Sequence, residues 1–143
     1  MTGTMAESDA SLFTLEPAKP AGQMHPQALA YLGDAVFELY VRQYLLSLPN
    51  HRPHALHREA IGLVSARAQA RLLEEWMPLL SEDELEIVRR GRNAKTGSMP
   101  KNAEVLEYRH STAFECLIGY LFCERKFERL KELLDQAVRK IGG

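Results

Sequence analysis

The sequence predicts an all-α domain, and three observations carry that reading. From His25 onward, apolar residues recur at spacings of three and four, the repeat of helices that bury one face. Helix starts are marked at intervals by Pro26, by Pro53 and by Ser81-Glu82-Asp83-Glu84. No stretch sustains the period-two alternation, bounded by turn residues, that a strand requires. With 143 residues, 45% of them hydrophobic and 26% charged, the chain has material for one domain and its core.

Residues 1–24 are small and polar, with Pro17, Pro20 and Gly22, and read as a disordered N-terminal tail ahead of a folded domain at 25–143. The first helix opens at Pro26, where a missing N–H costs nothing, and ends near Pro49. Leu29, Leu32, Val36, Leu39 and Tyr40 form its expected buried face. A second helical region starts near Pro53 and runs through Ile61, Val64, Ala68, Leu72 and Leu73 toward Trp76 and Leu79. Ser81 and Glu84 form a capping box that opens a third, leading through Leu85 and Val88 into basic residues. Lys95 to Lys101 is a loop by composition. A fourth helical region takes in Leu106 and Phe114 to Phe122, and a fifth runs from Phe127 through Leu130 and Val138 to Ile141.

The net charge of −1 gives no global argument for a nucleic-acid partner, but the charge is unevenly placed. Arg89, Arg90, Arg92, Lys95 and Lys101 fall in a stretch without a single acid. Such a run suits phosphate contacts; it also suits a solvated helix end, where basic residues complement the dipole. Cys116 and Cys123, seven apart on one helix, would lie about 10 Å from each other, too far for a disulfide. They read as free thiols of a reducing compartment. No apolar run is long enough to span a membrane and no secretory signal is visible, so a cytoplasmic location is expected. His51, His54 and His57 lack the further ligands of a zinc site and read as surface residues.

Two acids stand out because each sits in an apolar helical setting. Asp34 lies in Ala28-Leu29-Ala30-Tyr31-Leu32-Gly33-Asp34-Ala35-Val36, and Glu115 in Phe114-Glu115-Cys116-Leu117-Ile118-Gly119. A carboxylate among apolar residues is costly unless a cation or hydrogen bonds compensate it. Two of them on separate helices can converge on one divalent cation, and Mg²⁺ is often held by one or two carboxylates plus phosphate. The plainer alternative is a pair of helix-edge salt bridges, to Arg42, Arg109 or another base. Glu38 and Arg42 read as an ordinary i, i+4 pair. Gly33 costs its helix roughly 1 kcal/mol against alanine, a cost that close approach of another helix or a ligand backbone would explain.

These segments resemble a known family. Leu32-Gly33-Asp34-Ala35-Val36 is similar to the signature of the ribonuclease III catalytic domain, and Phe114 to Gly119 resembles its second acidic motif. Arg89-Arg90-Gly91-Arg92-Asn93-Ala94-Lys95 and Tyr108-Arg109-His110-Ser111-Thr112-Ala113-Phe114-Glu115 are similar to the Mini-ribonuclease III subfamily, the bacterial form without a double-stranded-RNA-binding domain. The likeness covers about residues 25 to 141 and rests on three motifs in order.

The resemblance implies an all-helical homodimer, an endoribonuclease that cuts double-stranded RNA with Mg²⁺ and leaves 5′-phosphate and 3′-hydroxyl ends. It implies precursor 23S ribosomal RNA as substrate, with Asp34 and Glu115 as catalytic residues and metal ligands. Arg89, Arg90, Arg92, Asn93, Lys95, Lys101 and Arg109 are the expected RNA-binding residues, and whether a ribosomal protein assists stays open. By the same analogy the Ala28 to Val36 helix lies at the dimer interface. Two departures stand out: where full ribonuclease III has two further acids, this chain has Ala30 and Thr112. The subfamily shares that reduction, which implies weaker metal binding that leans on substrate phosphate. A dimer that clamps RNA or docks on the ribosome without cutting is the alternative.

Overall fold

A computed structural model describes residue 13 and residues 15–94 and 104–142. Among the described residues there are six α-helices and no strand. They are α1 (Pro26–Leu46), α2 (Pro53–Val64), α3 (Ala66–Trp76), α4 (Glu82–Asn93), α5 (Glu104–Cys123) and α6 (Phe127–Gly142). Short 3₁₀ turns at Ala21–Gln23 and Met77–Leu79 complete the elements.

Helix α5 is the axis of the fold. Ser111, Thr112, Ala113, Phe114, Cys116, Leu117, Ile118, Gly119 and Leu121 are all buried, so its middle is enclosed on every side. A helix that is apolar all round must be covered all round. Helices α1, α3 and α4 pack most closely on it, and α6 closes the remaining side. Phe114 stands at the centre, edge-on to Phe37 of α1 at 5.0 Å and stacked on Trp76 of α3 at 4.6 Å. Such aromatic pairs add about 0.5–1.5 kcal/mol each beyond the area they bury.

The buried stripe of α1 differs from the expected one. Leu29, Gly33, Phe37, Val41 and Leu45, spaced four apart, face the core. Of the anticipated face only Leu29 is fully buried, and Leu39 is 47% exposed. Both faces of α1 are apolar enough to serve, and the one carrying Gly33 is chosen because it lets α5 come close. A Cβ on Gly33 would lie 1.8 Å from the Glu115 carbonyl oxygen, and one on Gly119 would lie 2.0 Å from that of Leu29. The two helices thus cross backbone against backbone, and this contact within one chain accounts for Gly33.

The helical region expected from Pro53 to Leu79 is two helices. Ser65 has extended backbone, ends α2 and caps α3, its hydroxyl accepting from Ala68 N at 3.2 Å. Serine is a preferred N-cap, and an unbroken apolar pattern hides such a break. The capping box at Ser81 is formed in both directions, with Ser81 N donating to Glu84 and Glu84 N donating to Ser81. Helix α5 ends in a Schellman turn: Arg125 N donates to Phe122 O and Lys126 N to Leu121 O. Arg125 takes the left-handed conformation (φ 60°) that glycine usually fills.

Of the segment expected to be a tail, residues 21–24 pack on the domain. Ala21 is buried beside Leu29, Ile87 and Cys116, and Arg90 of α4 donates to Gly22 O at 2.8 Å and Met24 O at 2.9 Å. His25 Nδ1 accepts from Gln27 N at the start of α1. Both cysteines are free thiols. Cys116 donates to Pro26 O, and burial pushes its pKa up to about 12, which leaves it inert at neutral pH.

Candidate active site

The site forms where α1 and α5 cross. Gly33 brings the α1 backbone against that of Glu115, and the neighbouring side chains, Asp34 and Glu115, then leave the contact on the same side. The Asp34 carboxyl is close enough to that of Glu115 to act on its charge. Asp34 is exposed and Glu115 half-buried, so the pair forms a notch open to solvent on the aspartate side.

Among the described residues no basic side chain pairs with either acid, so the salt-bridge alternative does not describe them. Arg42 pairs with Glu38, at 3.4 Å, as its spacing suggested. Burial, then the charge and hydrogen bond of Asp34, push the Glu115 pKa up to about 8. Gln69, on α3, opposes that rise. The Gln69 side chain is 1% exposed, and its Nε2 completes no hydrogen bond, although it lies near enough to favour ionised Glu115. Sequence reasoning missed this residue. Its signal was present, as a lone amide on the stripe of Ala68, Ala70, Leu72 and Leu73.

Two facing acids with no basic partner among the described residues, one of them holding its proton past neutral pH, form a donor set that a hard divalent cation fits. No larger ligand cluster exists: among the described residues, no group of three His, Cys, Asp or Glu is placed to hold a metal. Ala30, one turn before Asp34, is buried against the core, and the Thr112 hydroxyl donates to Tyr108 O. Neither offers a ligand.

The described members of the expected RNA-binding set differ in their surroundings. Arg89 is exposed and held by Glu86, with Nε at 3.0 Å, while Arg90 is turned to the Gly22 and Met24 carbonyls. Arg92 is half-exposed, Asn93 and Arg109 are exposed, and Lys95 and Lys101 lie outside the described residues. Gly91, within the basic run, serves packing: a Cβ there would meet Cys116 Sγ at 2.8 Å and Ala113 Cα at 2.9 Å. His51, His54 and His57 are exposed.

An all-helical domain with paired acids at a glycine crossing is the form of one nuclease class, and residues 27–126 match the Ribonuclease III domain. The chain belongs to the ribonuclease III family, whose members act on double-stranded RNA, and is an endoribonuclease. Within the family it groups with the Mini-ribonuclease 3 proteins. It is 49% identical over 119 residues to Mini-ribonuclease 3 of Brevibacillus brevis, covering 83% of this chain and 89% of that one. The protein of that name from Synechococcus sp. is 50% identical over 123 residues, 85% of this chain and 86% of its own. A crystal structure of a Fusobacterium nucleatum protein matches with a TM-score of 0.75 and 29% identity, over 82% of this chain and 94% of that one. No helix among the described residues is long and apolar enough to cross a membrane.

Proposed function

We propose that this chain is a Mg²⁺-dependent endoribonuclease that cuts the paired stem joining the ends of precursor 23S ribosomal RNA, leaving 5′-phosphate and 3′-hydroxyl ends. The observation that carries this reading is the pair of facing acids, Asp34 and Glu115, which no basic side chain among the described residues pairs with. Asp34 and Glu115 hold the metal, and the exposed Asp34 side of the notch is where the phosphate backbone arrives. Bound Mg²⁺ supplies an activated water and offsets charge at the scissile phosphate. With Ala30 and Thr112 in place of further acids, substrate phosphate completes the shell, so RNA and metal bind with mutual support.

Arg89, Arg92, Asn93 and Arg109, joined by Lys95 and Lys101, contact the phosphates and 2′-hydroxyls of A-form RNA, which is recognised mainly by shape. Arg90 contributes to this surface indirectly, by anchoring residues 22–24 to α4. The protein acts as a homodimer with one centre per subunit. The second apolar face of α1, where Tyr31 is 85% and Leu39 47% exposed, is the surface the partner covers. A ribosomal protein is a candidate accessory that presents the stem, and the cytoplasm is where such a substrate lies.

Cleavage of a labelled double-stranded RNA stem by wild type and Asp34→Asn, with Mg²⁺ and with chelator, tests the reading. Wild type is expected to cut only with the metal, and Asp34→Asn to be slower by about 10³-fold or more at unchanged fold. Salt-sensitive binding with no cutting by either protein would favour the non-cleaving clamp instead.

A further inference from the structure

We propose that Gln69 is a positioning residue of this centre: its buried side-chain amide donates to one Glu115 carboxylate oxygen and so fixes how the other is presented beside Asp34. The inference rests on reading Asp34 and Glu115 as the metal ligands.

The fold gives Gln69 no other reason to be polar. Its neighbours along the buried stripe of α3 are Ala68, Ala70, Leu72 and Leu73, and an apolar side chain of the same length would pack there. Burying an amide with unmet donors costs about 1–3 kcal/mol, so a stability argument alone favours replacement by a hydrocarbon. Native buried polar atoms are nearly always partnered, and an exception calls for an explanation such as an absent ion or a role in a site. Gln69 Nε2 is such an exception, and the acid beside it is Glu115.

The register is held from both ends of α3. Ser65 caps its start, and Trp76 at its end stacks on Phe114, the residue next to Glu115. Gln69 therefore has little freedom to turn elsewhere. As the protein stands, Gln69 Nε2 has no completed bond. A Glu115 carboxylate that turns one oxygen to a cation has the other to offer Gln69. Ligating carboxylates are commonly held in this way by a neighbouring donor, and removing the donor weakens metal affinity about 10–100-fold.

The test is a Mn²⁺ titration of the RNA-free protein, read by the electron paramagnetic resonance of free Mn²⁺, alongside thermal melts without metal. Wild type, Asp34→Asn and Gln69→Met are compared. Gln69→Met is expected to bind Mn²⁺ about 10-fold more weakly while melting at or above the wild-type temperature. Unchanged Mn²⁺ affinity with a lower melting temperature would make Gln69 a packing residue and overturn the inference. Asp34→Asn that binds as wild type does, or wild type that binds no Mn²⁺ even with a double-stranded RNA stem present, would instead sink the metal centre and the inference with it. If Gln69→Met does not fold, Gln69→Asn, which draws the amide back by one methylene, must show the same loss; wild-type affinity there overturns the inference too.

Discussion

Glu115 and Glu84 are both glutamates drawn into the interior, and their surroundings treat them in opposite ways. Glu84, 6% exposed, lies under Arg129 of α6, which donates to both its oxygens at 2.8 and 2.9 Å and to Leu79 O at 2.7 Å. The backbone of Ser81 donates as well. The Arg129 hydrogen bond, against the opposing effect of burial, holds the Glu84 carboxyl below the usual carboxylate range. Glu115 meets another acid and an amide instead, and its pKa is raised to about 8. A bidentate arginine satisfies a carboxylate and stabilises the fold. A second carboxylate leaves it unsatisfied, and that residual demand is what a metal site uses. On the reading proposed above, the contrast separates an acid kept for structure from an acid kept for chemistry.

The strongest way to break the contrast is Gly33→Ala. Its Cβ would collide with the Glu115 backbone, so α1 and α5 must part, at a cost of about 3 kcal/mol or more. Urea denaturation is expected to show that loss, with cleavage falling even where the protein stays folded, because the acids separate. If stability and cleavage both survive, the crossing does not set the site.

Next in size, the two glutamates can be exchanged for glutamine and compared directly. Glu84→Gln is expected to lose about 2–3 kcal/mol, since it weakens charged hydrogen bonds and leaves Arg129 partly unmatched. Cleavage per folded molecule should stay as in wild type. Glu115→Gln, measured without metal at pH 7, is expected to gain about 1–2 kcal/mol, because a neutral amide escapes the cost of keeping a proton on a carboxyl that ionises freely once unfolded, while cleavage is lost. The Glu84 contribution is also visible in pH. Its folded pKa lies below its unfolded one, so its stabilisation is present above the unfolded value near 4.5 and fades as pH falls through the folded one. Melting temperature from pH 6 to 3 should therefore fall less steeply in Glu84→Gln than in wild type.

The smallest effect sharpens the structural side alone. Arg125 holds the left-handed position of the turn that leads into α6 and hence to Arg129. Arg125→Gly removes the Cβ penalty and an exposed pair with Glu16, for a net gain of up to about 1 kcal/mol. Calorimetry should show the higher melting temperature, with cleavage unchanged. A lower melting temperature would mean that the exposed contacts of Arg125 outweigh its backbone strain.

Local patterns in the sequence determined the helices. Apolar spacing, the prolines at 26 and 53 and the Ser81–Glu84 box act over a few residues, so the all-α class and the starts of α1, α2 and α4 were legible in it. The acids of the two motifs were legible too, because a charge inside an apolar helix is conspicuous wherever the chain goes. Only the tertiary structure decided what depends on which backbones touch. The glycine crossing chose between two apolar faces of α1 and brought Asp34 to Glu115. Packing broke the second helical region at Ser65, turned Arg90 inward and set Gln69 against the acid pair. Each of these is a contact between segments far apart in the chain, and residue spacing carries no record of the angle at which two helices meet.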